Sequence, residues 1–212
     1  MCWCRDHGPL PVLIRAMLTI AQLLEPLCRY RTNEVVVTSM SLVHPWTQLS
    51  QHALDHALPD SKMDHVTGLA LGIALAGPDR DVICLIGDDN RPSTPGGLST
   101  ILSACVTNLT LILIDGRHLL IPGGPSFTPS LVNHSALAEA AGFEQVFRVE
   151  DAHEYAQSVP EILSLTGPTF IHAIVPSNNK KPAMKGYTKD VLQSPIPLAD
   201  SARKVLDTLK LD

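Results

Sequence analysis

The chain has 212 residues, enough for one domain with a substantial core, and its apolar fraction of 45% and charged fraction of 17% are typical of a globular protein. The net charge of −5 gives no electrostatic basis for binding nucleic acid or an anionic membrane surface. No apolar run approaches the ~20 residues that a membrane-spanning helix needs. We therefore expect a cytoplasmic protein, with a ragged terminus at residues 1–9 and a single domain over residues 10–212.

The first third of the chain has mixed helical and strand patterns. The predicted elements are helix 11–27, strand 34–38, a loop at 39–45, a short helix at 46–57 and helix 63–76. Gly68 and Gly72, four residues apart in the last helix, would let another backbone or a cofactor approach closely.

The central segment predicts a βαβ unit. The apolar runs 82–86 and 109–114 lack alternation, which suits strands buried on both faces in a parallel sheet, and 98–104 has a helical pattern between them. Asp115 directly follows the second run, and Asp88 follows the first run after Gly87. Because ligands bind at the carboxyl edge of open α/β sheets, we expect both side chains at that edge, in neighbouring turns.

Two interpretations of these carboxylates are open. Oxygen donors at the mouth of a parallel sheet suit Mg²⁺. Phosphate oxygens would complete the coordination shell of the ion. Alternatively, Asp88 and Asp115 are ordinary turn formers or helix N-caps, which are common after strands.

The last third of the chain continues the alternation of helices and strands. The predicted elements are a long loop at 117–129, helix 135–141 ended by Gly142, strand 145–149, helix 152–164, strand 169–175, a polar linker and helix 198–209. The loop suits a lid or a partner contact. We expect His172 to be a satisfied core side chain. The whole predicts one α/β domain, a three-layer α/β/α doubly wound fold with a mostly parallel sheet of five or six strands.

The central segment resembles the diphosphate-binding motif of thiamine-diphosphate enzymes, and most closely the small β-type subunit of sulfopyruvate and phosphonopyruvate decarboxylases. The likeness covers roughly residues 10–210. It rests on Gly87-Asp88, the helix Gly97-Leu98-Ser99-Thr100-Ile101, Asp115 with Gly123-Gly124, Met63 with Gly68-Leu69-Ala70-Leu71-Gly72, and Gly167-Pro168-Thr169-Phe170-Ile171-His172.

The resemblance implies a subunit that binds thiamine diphosphate and Mg²⁺ and decarboxylates a small 2-oxo acid such as 3-phosphono- or 3-sulfopyruvate. A separate pyrimidine-binding α-type chain would complete the site in a hetero-oligomer. Its implied metal ligands are Asp88 and Asp115, and its implied catalytic residues are His65 and His118. The implied cofactor-binding residues are Ser41, His44, Met63, Gly87, Asp88, Asp89, Asn90, Asp115 and Gly116.

Simpler roles remain open for some of these residues. Ser41 and His44 also fit an ordinary loop, and His65 also fits a neutral hydrogen-bonding residue at a helix start. Arg91 or Arg117 would serve the anionic end of the substrate.

The motif departs from the family pattern at several positions. Asp89 replaces its second glycine, Pro92 and Pro95 interrupt the expected helix, and the place of its metal-binding Asn holds Asp115 or Gly116, depending on a one-residue shift. Asp89 would place a negative charge where the diphosphate should bind. Two unit negative charges 4 Å apart repel by about 4 kcal/mol at an effective dielectric near 20. The alternatives are therefore a degenerate, non-catalytic partner subunit of the same fold, or a binder of another phosphate ligand at the same edge.

Overall fold

The computed structural model describes residues 18–58, 65–87, 95–116, 132–175 and 197–209. The strands are β1 (Val35–Thr38), β2 (Asp55–Ala57), β3 (Val82–Ile86), β4 (Leu109–Asp115), β5 (Gln145–Val149) and β6 (Thr169–Ile174). The helices are α1 (Ile20–Tyr30), α2 (Met40–Thr47), α3 (His65–Ala76), α4 (Pro95–Ser103), α5 (His134–Ala141), α6 (Ala152–Leu163) and α7 (Leu198–Leu209).

These strands form a single parallel sheet of six, in the order β2-β1-β3-β4-β6-β5. Successive side chains of β3 enter opposite cores: Val82, Cys84 and Ile86 face α3, α4, α5 and α7, and Ile83 and Leu85 face α1, α2 and α6. The predicted three-layer α/β/α fold with a parallel sheet of five or six strands is confirmed. No helix within the described ranges is both long and apolar enough to cross a membrane.

The strand order creates a switch point between β1 and β3. From β1 the chain continues through α2 to β2 on one side, whereas from β3 it continues through α4 to β4 on the other. Connections that diverge in this way leave a crevice at the carboxyl ends of the two strands, where ligands of doubly wound sheets bind. The sheet topology therefore gives the position of a candidate site before any side chain is considered.

Helix α1 begins later than its apolar pattern predicts. Thr19 and Gln22 form a capping box, in which the Thr19 hydroxyl accepts the Gln22 N–H and the Gln22 side chain accepts the Thr19 N–H. The predicted start at residue 11 is therefore wrong, although residues 11–17 lie outside the described part. Within the described part, the apolar stripe is confirmed at Leu23 and Leu24, which are buried together with Leu27.

The predictions for residues 39–57 are wrong. The expected loop at 39–45 is helix α2, which contains Pro45, and the expected helix at 46–57 ends at Thr47 and is followed by strand β2. The loop was predicted because residues 39–45 directly follow the first strand, and a proline such as Pro45 removes one helical N–H. In the structure Trp46, in the last turn of α2, is buried in the core, and this burial favours the helix despite the proline.

A buried ion pair holds β2 in place. The Arg31 guanidinium contacts the Asp55 carboxylate, which also accepts hydrogen bonds from Trp46 Nε1 at 3.0 Å and Ser50 Oγ at 2.7 Å. Arg31 donates further to the Glu34 carbonyl, with its Nη2 at 2.8 Å from the oxygen. Long-range side-chain contacts thus position this short strand, which has no β-branched residue.

Helix α7 covers the outer edge of β2. Ser201 Oγ accepts the Ala57 N–H at 3.1 Å and lies 3.3 Å from Nδ1 of the buried His56. Burial lowers the pKa of His56, and the hydrogen bond with Ser201 opposes this shift.

Two expectations for the helices beside the switch point are also corrected. Helix α4 begins at Pro95, where a missing N–H costs no helical hydrogen bond, so Pro95 starts the helix instead of interrupting it, while Pro92 lies outside the described residues. A Cβ added at Gly68 or Gly72 would meet nothing within 4 Å among the described residues, so these glycines do not serve close packing on the sheet. They belong to an exposed face of α3 that includes Leu75, which is 54% exposed.

Candidate functional site

A side-chain hydrogen bond joins the ends of β1 and β3 at the crevice of the switch point. The Ser39 hydroxyl, fully buried at the end of β1, accepts the Gly87 N–H from the end of β3 at 2.9 Å. Ser39 is the N-cap of α2, but its side chain makes no capping hydrogen bond. Its hydroxyl instead fixes the turn that begins at Gly87, the first residue of the predicted diphosphate motif.

Ser41 and His44 lie on α2, not in a loop. Ser41 is in the first turn of the helix and half-buried, whereas His44 is exposed in the last turn. The N-terminal end of a helix carries a partial positive charge that favours anions, and α2 has this end at the carboxyl edge. Of these two predicted cofactor residues, Ser41 is therefore the nearer to the crevice along the helix.

Asp115 is the last residue of β4 and not part of a turn, which corrects its predicted position. Asp115 is 7% exposed, and its backbone carbonyl accepts the Val175 N–H at 3.0 Å. The carboxylate Oδ2 lies 3.1 Å from Nε2 of His172 on β6. The strand register explains this contact, because Asp115 is opposite Ile174, and His172 lies two residues earlier on the same face.

His172 has hydrogen-bond contacts at both ring nitrogens. Its Nδ1 lies 3.1 Å from Ser135 Oγ at the start of α5, and its ring packs edge-on against His134 with centroids 5.3 Å apart. His172 is 1% exposed, so the expectation of a satisfied core side chain is confirmed. Its hydrogen-bond partners, Asp115 and Ser135, could not be inferred from the sequence.

The remaining predicted site residues are only partly described. His65 is the exposed first residue of α3, and Gly116 is half-buried directly after β4. The predicted residues outside the described ranges are Met63, Asp88, Asp89, Asn90 and His118. The structure therefore brings Gly87 together with Ser39, and Asp115 together with His172, and it leaves the predicted pair Asp88 and Asp115 untested.

Sequence reasoning places residues 39–45 at this edge but does not single out Ser39 as a site residue. The available signal was its place directly after β1, where it is a typical N-cap residue in a turn at the carboxyl edge. Ser135 and His172 offered no comparable signal, because their contact joins residues 37 positions apart.

The donor chemistry at the edge fits a hard cation. The Asp115 carboxylate and the backbone at Gly116 offer oxygen atoms at the end of β4, and Mg²⁺ prefers one or two carboxylates with phosphate oxygens. No cluster of three or more His, Cys, Asp or Glu side chains that could hold a metal occurs among the described residues. A site here would therefore need ligands from the cofactor or from residues after Gly87.

Fold and edge geometry define a doubly wound α/β domain with a ligand crevice where β1 and β3 diverge. Residues 50–173 match the model of the C-terminal TPP-binding domain of thiamine pyrophosphate enzymes. The chain belongs to this family. Its predicted kinship with thiamine-diphosphate enzymes is therefore confirmed.

One curated relative is the sulfopyruvate decarboxylase subunit beta of Methanothermobacter thermautotrophicus. It is 29% identical over 132 residues, which cover 62% of this chain and 68% of that protein. Together with the family match, this relative supports a subunit of a thiamine-diphosphate-dependent decarboxylase, as the sequence predicts.

Two solved structures share the fold. The first, a Mycobacterium smegmatis protein described as a thiamin diphosphate-dependent enzyme, has a TM-score of 0.64 at 18% identity, over 75% of this chain and 32% of that one. The second, benzoylformate decarboxylase from Polynucleobacter necessarius, has a TM-score of 0.62 at 19% identity, over 82% of this chain and 35% of that one. The present chain thus spans about a third of either structure.

Proposed function

We propose that this chain is the diphosphate-binding subunit of a thiamine-diphosphate-dependent decarboxylase that acts on 3-sulfopyruvate or 3-phosphonopyruvate. The observation that carries the proposal is the hydrogen bond between Ser39 and Gly87, which fixes the start of the Gly87-Asp88 motif in the crevice at the switch point. The family match and the sulfopyruvate decarboxylase relative support it.

In this proposal the ends of β3 and β4 anchor the cofactor. Asp88 and Asp115 would hold Mg²⁺, and the turns at Gly87 and Gly116 would hold the diphosphate, with Asp89 and Asn90 beside it. Ser41 and the N-terminal end of α2 add a favourable electrostatic field for phosphate oxygens. Bound thiamine diphosphate supplies a nucleophilic ring carbon and an electron sink for the loss of CO₂.

This chain's other predicted site residues would act on the substrate and on the cofactor ring. We assign proton transfer near the substrate to His65 and His118, since imidazole is the side chain best suited to that task near neutral pH. Met63 would contact the cofactor, as would His44 from α2. Arg91 or Arg117 would pair with the sulfonate or phosphonate of the substrate, because guanidinium binds such oxyanions through two parallel hydrogen bonds.

A separate pyrimidine-binding α-type chain would complete the active site. The exposed face of α3 offers a surface for it, because Gly68 and Gly72 add no side chain and Leu75 is largely exposed. The expected assembly is a hetero-oligomer with active sites between the two kinds of chain, in the cytoplasm. Light scattering of the chain, alone and with the α-type chain, tests it; a strictly monomeric chain that binds no such partner would contradict the assembly.

The decisive experiment is to purify the complex and measure bound thiamine diphosphate, bound Mg²⁺ and CO₂ release from both 2-oxo acids. We expect stoichiometric cofactor and turnover with one of the two substrates. Asp88→Asn should abolish cofactor retention, while Asp200→Asn on the exposed start of α7 serves as the matched control. A complex that binds cofactor but releases no CO₂ from either acid would exclude the proposed substrates.

The alternative is a degenerate partner subunit that assembles with an active chain without binding cofactor itself. Asp89 at the motif's second glycine and Gly116 at the position of the metal-binding Asn favour it. A complex that contains the chain but no cofactor at its own crevice would support this alternative.

A further inference from the structure

Three buried polar side chains form a continuous hydrogen-bonded series beneath the carboxyl edge. Ser135 Oγ lies 3.1 Å from His172 Nδ1, and His172 Nε2 lies 3.1 Å from Asp115 Oδ2. The exposed fractions are 6% for Ser135, 1% for His172 and 7% for Asp115. The series links α5 and the middle of β6 to the last residue of β4.

The direction of the hydrogen bonds follows from the donor inventory. An ionised carboxylate only accepts, so His172 Nε2–H donates to Asp115. In the neutral tautomer with its hydrogen on Nε2, Nδ1 accepts and the Ser135 hydroxyl donates to it. Each hydrogen bond thus fixes the orientation of the next group, from Ser135 through His172 to Asp115.

Core packing alone does not explain these residues. The neighbours of His172 in β6 are the buried apolar residues Ile171 and Ala173, and an apolar residue at position 172 would avoid the cost of burying an imidazole beside a carboxylate. A nucleophilic Ser-His-Asp triad does not explain them either, because a nucleophile must reach its substrate and Ser135 is buried. The arrangement therefore points to the orientation of Asp115.

We propose that His172, held by Ser135, is a positioning residue that orients the Asp115 carboxylate toward the divalent cation of the diphosphate site. This inference rests on the proposed function. Carboxylates that bind metals are themselves hydrogen-bonded in this way, and loss of such a partner typically lowers metal affinity about 10- to 100-fold. The series would determine how well Asp115 binds Mg²⁺ without itself touching cofactor or substrate.

The first test measures Mg²⁺ affinity by calorimetry in the complete complex with saturating thiamine diphosphate. His172→Phe keeps a ring against His134 but removes both hydrogen bonds, and we expect about 10- to 100-fold weaker Mg²⁺ binding. His172→Gln places an amide N–H near the position of Nε2 and should recover most of the affinity. Ser135→Ala, which leaves the ring in place, should give a smaller loss in the same direction and replaces His172→Phe if that variant does not fold.

A double-mutant cycle shows whether the effect passes through Asp115. In an Asp115→Ala background, His172→Phe should cause no further loss of Mg²⁺ affinity, because the group that His172 orients is absent. His56→Phe is the matched control. His56 is a buried histidine on the distant strand β2, and its ring is paired with Ser201 of α7. This substitution should lower the melting temperature and leave Mg²⁺ affinity unchanged.

The possible results separate the inference from the proposed function. If wild type binds Mg²⁺ and His172→Phe binds it equally well, the inference is overturned and the proposed function stands. Additive losses in the cycle, or an equal loss in His56→Phe, would also overturn it, because they indicate general loosening of the fold. A wild-type complex that binds neither Mg²⁺ nor thiamine diphosphate would overturn the proposed function and this inference with it.

Discussion

The Ser39 hydroxyl accepts the Gly87 N–H across the crevice between β1 and β3, with 2.9 Å between oxygen and nitrogen. Beyond this point β1 connects to β2 on one side of the sheet and β3 connects to β4 on the other, so the hydrogen bond joins the ends of two strands whose connections diverge. The hydrogen bond fixes the backbone that precedes Asp88. It also makes Ser39 part of the candidate site, although Ser39 follows a different strand from Gly87.

Ser39→Ala should therefore both destabilise the domain and weaken cofactor binding. A buried N–H that loses its acceptor costs about 1–3 kcal/mol, and we expect a loss of this size in the free energy of unfolding, measured with urea. Ser164→Ala is the control, since the exposed Ser164 hydroxyl donates to the Glu161 carbonyl at a helix end and its loss should change stability by less than about 0.5 kcal/mol. Equal stability of the two variants would contradict the assigned role of Ser39.

Asp89→Gly distinguishes a working enzyme from a degenerate partner. A glycine at this position removes a negative charge and lets the backbone approach phosphate oxygens, so a weakened relic of the site should bind thiamine diphosphate more tightly after the change. An enzyme that uses Asp89 as a ligand or acid–base group should instead lose turnover. Cofactor affinity and CO₂ release are measured together in the complex, and we expect lost turnover.

The Arg31–Asp55 pair should contribute far more to stability than an exposed pair. Asp55→Ala leaves a buried guanidinium without its carboxylate, which costs about 3–5 kcal/mol. The matched control is Asp200→Ala, because Asp200 pairs with Arg203 on exposed α7, with side chains 57% and 69% exposed, and such pairs contribute about 0–1 kcal/mol. Urea unfolding of both variants checks the difference, and similar losses would show that the buried network does not hold β2.

Stability should fall as the pH drops below the ordinary pKa of histidine. Burial lowers the pKa of His56 and of His52 from 6.5, so the unfolded chain binds protons that the folded chain does not. The full contribution is present above pH 6.5 and is lost as the pH falls toward the lowered values. We expect a smaller slope between about pH 8 and 5.5 in His56→Gln, measured by urea unfolding at each pH; an unchanged slope would contradict this assignment.

Local patterns predicted most of the sheet and few of its contacts. Strand 82–86 and helix 198–209 lie where their apolar patterns indicate, because burial on a sheet face or a helix stripe leaves a periodic signal. β2 was missed because Asp55, His56 and Ala57 have weak strand propensity, and the strand depends on Arg31, Trp46 and Ser201 from other elements.

The candidate site shows the same limit. The motif at Gly87 was evident from the sequence. The residues that position Gly87 and Asp115, which are Ser39 and His172, were not. His172 and Asp115 are 57 positions apart, and only the strand register brings them onto one face. Such contacts have no local pattern, so they could not be inferred before the fold was known.

The seam between α7 and β2 limits how this protein can associate with others. The outward-facing N–H groups of Asp55 and Ala57 donate to the His52 carbonyl and to Ser201 Oγ, so the outer side of β2 offers neither of these donors to an incoming strand. At the opposite margin, β5 presents the exposed charged Arg148, a residue type that discourages strand addition. Growth of the sheet from one molecule into the next is therefore disfavoured at both margins, and partner chains are left to dock on helices. Removal of α7 would free the Ala57 N–H at this border and open the outer side of β2 to strand addition.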